Sequence, residues 1–186
     1  QQQALAQYAS RYESQWLAMM ASKLGLSHLD EQEDELWVAD LLRLLQDAQL
    51  DMTLFYRGLS QVQVDSEWNV FESLLKACSY LDTVEEHFYA AKSWLKQYQK
   101  RLLADNQSSE WRQLTMEAVN PCYVLRNYLA QEAIDAAEQG DFSKIHALQK
   151  LLENPYQAQS GQEMFAQKRP DWAKQRAGCS MLSCSS

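Results

Sequence analysis

The groups in this sequence best suited to chemistry are its four thiols, Cys78, Cys122, Cys179 and Cys184. Cys184 stands third from the end, within Ser183-Cys184-Ser185-Ser186. A segment that polar and that close to a terminus has little to bury, so a solvated thiol is expected there. Solvated thiols serve oxidation and disulfide exchange, or nothing, and the residues leave both readings open. Cys179 precedes Cys184 with four residues between them. Thioredoxin-like pairs are separated by two residues and sit beside a βαβ pattern, which is lacking here. An independent thiol oxidoreductase built on Cys179 and Cys184 is therefore the weakest function class. Structural zinc takes about four ligands in close pairs, and no histidine is near these thiols in sequence, so no metal ligand is assigned.

The other two cysteines have plainer readings. Cys78 falls on the apolar side of an expected helix, where it acts as a small core hydrophobe. Cys122 follows Asn120-Pro121, a helix-start signal, and helix amino ends depress thiol pKa values. Packing is the leading account of Cys122 all the same. His28, His87 and His146 are isolated from one another in sequence. There is no glycine-rich phosphate loop, Gly-Lys-Ser/Thr element or Gly-x-Ser-x-Gly elbow, and no His-Arg-Asp or Asp-Phe-Gly segment. No catalytic, cofactor-binding or metal-binding residue is assigned in this chain. Glu85-Glu86 reads as a solvated helix face.

The elements that must position these groups are helices. The 186 residues, 46% of them hydrophobic, suffice for a domain with a real core. Only 5 glycines and 3 prolines argue against the many tight turns of an all-β sandwich. A net charge of −8 argues against nucleic acid as a partner. No apolar run reaches the length of a membrane span, and no signal segment opens the chain. The sparse cysteines point to a reducing compartment, and a start at Gln1 without methionine fits either a processed secreted protein or a piece of a longer one.

Apolar residues recur at three and four. Leu5, Tyr8, Tyr12, Trp16, Met19, Met20 and Leu24 mark a first helix, stopped at Gly25. Asp30, answered by Glu33, caps a second helix carrying Leu36, Leu41, Leu42 and Leu45. Asp51 caps a third, and Asp65 or Ser66 a fourth. Thr83 and Glu86 form a capping box for a long helix bearing Val84, Phe88, Ala91, Leu95, Tyr98 and Leu102. A short helix spans roughly 109–118, another runs from Asn120 to Gly140, and the next starts at Asp141 and ends at Pro155. The expected class is all-α, a compact irregular bundle of about seven to nine helices. Residues 1–159 form its helical region. Residues 160–186 form an irregular, extended tail with one helical turn near 162–167.

The order of several segments carries a resemblance. Lys23-Leu24-Gly25-Leu26, Asp51 to Leu59, Asn120 to Gln131, Ala136 to Asp141, Asn154-Pro155-Tyr156, Pro170-Asp171-Trp172-Ala173 and Ser183 to Ser186 follow one another. This series resembles the carboxy-terminal part of the selenoprotein O family, kinase-like protein adenylyltransferases in which selenocysteine can occupy the position of Cys184. Met52, Cys122, Ser160 and Arg169 depart from the family's usual residues. The resemblance implies a parent that transfers AMP from ATP to Ser, Thr or Tyr hydroxyls of proteins with Mg or Mn. It places the nucleotide and metal residues in kinase-like lobes outside this chain, so that the piece alone is inactive. It also implies a redox role for Cys184 with a cysteine of those lobes, and leaves Cys179 a weaker candidate. Arg126 and Asn127 receive no role.

The expected partners are the missing lobes, the parent's protein substrates and, for the piece alone, further copies of itself. The first helix, with Tyr8, Tyr12 and Trp16, is the expected contact face. The expected location is the bacterial cytoplasm. The competing class is a self-standing helical protein-interaction module.

Overall fold

The acidic run after Gly25 shows how local chemistry becomes structure. Asp30 Oδ1 accepts from the backbone N–H groups of Gln32 at 2.8 Å and Glu33 at 3.0 Å, which starts α2, Glu31–Asp47. The reciprocal bond comes from Asp34, whose Oδ2 accepts from the Asp30 N–H at 2.9 Å, and not from Glu33. Asp34 can do this while pairing with Arg101 at 2.6 Å, a partner that Glu33 lacks. The computed structural model describes residues 2–176, 178 and 179. Among them are eight α-helices and no strand, an all-α fold within the expected helix count. Leu50 and Ser79 form one isolated antiparallel bridge.

The chain divides into two compact units, Gln1–Asn120 and Pro121–Ser186. The first holds α1 Gln2–Leu24, α2, α3 Met52–Leu59, α4 Trp68–Cys78, α5 Phe88–Asp105 and α6 Ser109–Val119. Its centre is aromatic. Trp37 and Trp94 stack at 5.1 Å and 3°, Trp94 stacks on Tyr98 at 5.1 Å, and Phe71 stacks on Trp94 at 6.0 Å. Phe55 meets Trp94 edge-on, and the Arg101 guanidinium lies 4.1 Å from the Trp37 ring centre.

A buried guanidinium fixes the helix ends around that stack. Arg112 on α6 is 4% exposed. It donates to the carbonyls of Leu59 at 3.3 Å, Ser60 at 3.0 Å and Val62 at 2.6 Å, and to the Tyr98 hydroxyl at 3.3 Å. Tyr98 in turn donates to the Leu24 carbonyl at 2.7 Å. Burial pushes the Tyr98 hydroxyl up to about 12, so it remains protonated and able to donate. Gly25 ends α1 at φ +67°, and a Cβ there would run into Arg112 and Met116. Glycine is thus required twice, for its backbone and for the space.

Several helix starts differ from expectation. Asp51 caps α3 as expected, accepting from Leu54 N–H at 3.1 Å, and its second oxygen takes the Tyr80 hydroxyl at 2.7 Å. α4 begins at Trp68 without a side-chain cap, because Ser66 Oγ is taken by the Gln63 N–H at 2.7 Å. The Thr83–Glu86 box does not form. Val84 is buried, a 3₁₀ turn occupies Glu85–His87, and α5 starts at Phe88.

The largest correction is at Asn120-Pro121, which ends α6 and starts no helix. Asn120 is 1% exposed, and both polar atoms of its side chain are hydrogen-bonded. Its Nδ2 donates to the Lys23 carbonyl at 3.0 Å and its Oδ1 accepts from Lys23 Nζ at 3.1 Å. Its one side-chain oxygen is turned to Lys23 and away from the following segment, and the following proline holds it extended at ψ 108°.

The second unit holds α7 Asn127–Glu138 and α8 Ser143–Leu152. Its core joins Tyr123, Tyr128, Leu129, Ala133, Leu148, Leu151, Ala173 and Cys179. Regular helix ends at Leu152, after which 3₁₀ turns cover Glu163–Ala166 and Asp171–Lys174. Residues up to 179 still contribute to this core through Ala173 and Cys179. The division by packing therefore falls at Asn120, ahead of the change of character at 159.

Removing Arg112 takes a donor from three buried carbonyls, of which that of Leu59 keeps the Val62 N–H at 3.0 Å. Arg112→Ala should destabilise the first unit by about 3–5 kcal/mol, read by urea unfolding followed through tryptophan fluorescence. Arg112→Lys should recover little of this, since an ammonium cannot span the three carbonyls as the planar fork does.

Candidate functional site around the carboxy-terminal thiols

The segment leading to Cys179 is held by charge and by packing. Arg176 pairs with Asp135 of α7 at 2.7 Å, and Gln131 Nε2 donates to the same carboxylate at 2.9 Å. The Gln131 bond, and then Arg176, hold the Asp135 carboxyl below its usual range. Gly178 turns the chain at φ +82°, close to the Gln131 side chain. The Cys179 N–H then donates to the Arg176 carbonyl at 3.1 Å. This turn delivers Cys179 into the core of the second unit, where it is 3% exposed and a free thiol. A thiol so buried behaves as a small apolar side chain and is shielded from reagents. Cys184, the first-choice redox residue, lies outside the described residues.

The remaining thiols are also structural in placement. Cys78 ends α4 and is 1% exposed. Cys122 was expected at a helix amino end and is not on a helix. Its N–H donates to the Pro155 carbonyl at 2.8 Å, as does that of Tyr123 at 3.1 Å. Those two bonds pin the 121–126 segment beside the end of α8, so the electrostatic reason for a reactive Cys122 disappears. Arg126 sits at the amino cap of α7, and Asn127 is that helix's first residue.

One grouping escaped the sequence because its members are far apart along the chain. An open cleft of about 460 Å³ in the first unit is lined by Ser27, His28, Glu33, Asp34, Arg101 and Asp105, among others. Ser27 Oγ hydrogen-bonds Asp105 and lies 3.2 Å from His28 Nδ1, and the Ser27 N–H also donates to Asp105. A hydrolytic triad places histidine between serine and acid. Here serine stands in the middle and its proton is committed to the acid, which ties down the loop after α1. Among the described residues, no three His, Cys, Asp or Glu side chains gather as a metal site.

The sequence, by contrast, matches a known protein family along most of its length. A family described as "Protein adenylyltransferase SelO" matches residues 1–153. The chain belongs to the SelO family. A protein nucleotidyltransferase YdiU of Rhodopirellula baltica is 46% identical over 198 aligned residues, covering 100% of this chain and 36% of that relative. The corresponding proteins of Xanthomonas campestris and Tolumonas auensis are 48% and 44% identical, covering 89% and 99% of this chain. The chain spans about a third of the length of the curated relatives it matches. The SelO match includes α1 to α8 and stops at residue 153, before the segment that carries Cys179 and Cys184.

Two measurements check this geometry. In the native chain, Cys179 should be alkylated at least about tenfold more slowly than in denaturant, as peptide mapping would report. Asp135 should titrate below 3.8 by NMR, and Arg176→Gln should move the midpoint back up. Because the folded value is depressed, the anchor's contribution is complete above pH 3.8 and is lost as pH falls through the folded value.

Proposed function

We propose that this chain is the helical carboxy-terminal part of a protein adenylyltransferase, with Cys184 as a thiol that regulates the whole enzyme. The observation that carries the reading is the SelO match over residues 1–153 in a chain only a third as long as its relatives. The relatives' name, protein nucleotidyltransferase, supports a parent of that class. The parent would join AMP from ATP to a Ser, Thr or Tyr hydroxyl of a protein. The hydroxyl oxygen bonds to the α-phosphorus, pyrophosphate leaves, and the hydroxyl proton passes to a base. The described residues of this chain do not fit an ATP and Mg or Mn site, since they offer no grouped metal ligands. The reading therefore puts those groups in the kinase-like lobes, and no step of the transfer is assigned to residues here.

What this chain contributes is structural and regulatory. Oxidation would join Cys184 to a cysteine of the lobes, with loss of two protons and two electrons to an oxidant such as peroxide. Such a bond restrains two distant segments, and a thiol reductant releases them. Burial of Cys179 supports Cys184 as the thiol involved. The bacterial relatives, and the lack of any described helix long and apolar enough to cross a membrane, agree with a cytoplasmic setting.

The test is an adenylylation assay with labelled ATP and magnesium or manganese. The intact parent should label protein, and this chain alone should neither label protein nor bind ATP by calorimetry. Saturable ATP binding by this chain overturns the division of labour. A parent that is inactive with either metal overturns the activity. A Cys184→Ser parent whose activity still responds to reductant overturns the regulatory role.

A further inference from the structure

Among the described side chains of α1, those packed into the core of the first unit begin at Trp16. Leu24, Met20 and Leu17 are 0%, 3% and 9% exposed, and Trp16 is half-buried against the same core. One turn earlier Tyr12 is 58% exposed, and Tyr8 is 69% exposed. These residues lie on one stripe, because they recur at three and four along the helix. The apolar face that builds the core therefore continues past the core's edge. The Tyr8 and Tyr12 rings stack on each other at 6.4 Å and 21°. The described side chains from Tyr8 to Gln15 are all exposed.

A helix end meant for water has a different composition. Solvated helices carry charges, often as pairs four residues apart. From Gln1 to Ser22 the only charged residues are Arg11 and Glu13, of opposite sign, although 23% of the whole chain is charged. Tyr, Trp and Met, which recur on this stripe, are the residues enriched in protein interfaces. Burying such a face costs little charge desolvation. A half-helix of this length, about 20 Å, is also marginal by itself in water.

We propose that the Tyr8–Tyr12–Trp16 stripe of α1 is seated in the intact protein against the part of the same polypeptide that this chain lacks. The inference rests on the reading that the chain belongs to a longer adenylyltransferase. Nearly two thirds of the Rhodopirellula baltica relative's length has no counterpart here, enough for domains of their own. A covalently linked partner acts at an effective concentration near the millimolar range. A second copy of this chain competes only at its bulk concentration, so the linked segment is the occupant.

The test uses the intact parent carrying Tyr12→Cys, with the introduced thiol followed by maleimide labelling and peptide mapping. Labelling should be at least about tenfold slower in the native parent than in guanidinium, and Tyr12→Glu should lower the parent's Tm. Rates equal within about twofold, native against denatured, overturn the proposal. Protection that vanishes on dilution to nanomolar parent overturns it in favour of a second copy. Hydrogen exchange gives an independent reading, with amides around Tyr8 to Trp16 slower in the parent than in this chain. Adenylylation is assayed on the same preparation. A parent that protects the introduced thiol yet transfers no AMP leaves the docking face intact and removes the activity reading.

Discussion

The first unit depends on one buried cation. Helix ends leave carbonyls without partners, and such groups are costly inside a core. Arg112 answers them at the end of α3 and in the turn beyond it, with one planar fork that reaches Leu59, Ser60 and Val62. No carboxylate accompanies it among its described partners; three carbonyl dipoles and a tyrosine hydroxyl share the charge. Through Tyr98 the same fork reaches the end of α1 at Leu24. Four helices are thereby fixed at one point, and Gly25 follows as a consequence, since a side chain at that turn would occupy Arg112's space.

The aromatic stack is the apolar counterpart of that network. Trp37, Trp94, Tyr98 and Phe71 pack as near-parallel rings, and Arg101 closes one end over Trp37 while paired to Asp34. The arrangement has a cost. The indole N–H groups of Trp37 and Trp94 are buried without a hydrogen-bond partner. Stacking dictates the ring orientation, and dispersion over several large rings offsets two unmade hydrogen bonds. Tyr98 belongs to both systems, because its ring is in the stack and its hydroxyl is in the Arg112 network.

Several polar side chains of the first unit hold helix ends, as with Asp51, Asn120 and Arg112. In the second unit, Asp135 and Gln131 hold the segment around Arg176 and Gly178. That local anchor decides that Cys179 is core.

Much of the fold was legible in the sequence. Helix class and approximate extent follow from apolar spacing, because periodicity is written along one element. Asp30, Asp51 and Gly25 were readable for the same reason, since a cap and the group it serves lie within a few residues. The resemblance to the SelO family was likewise carried by ordered local segments. The sequence could not determine where each side chain spends its hydrogen bonds. Asn120 carries a helix-start signal and yet serves the end of α1, 97 residues away. Nothing local in the sequence singles out Arg112, whose carbonyl partners lie 50 to 53 positions earlier in the chain. Cys179 reads as part of a polar tail until the Gly178 turn buries it. Local signals report what a segment can do unaided, whereas burial and partner choice are set by groups that meet only when the helices pack, and that meeting is decided by tertiary structure.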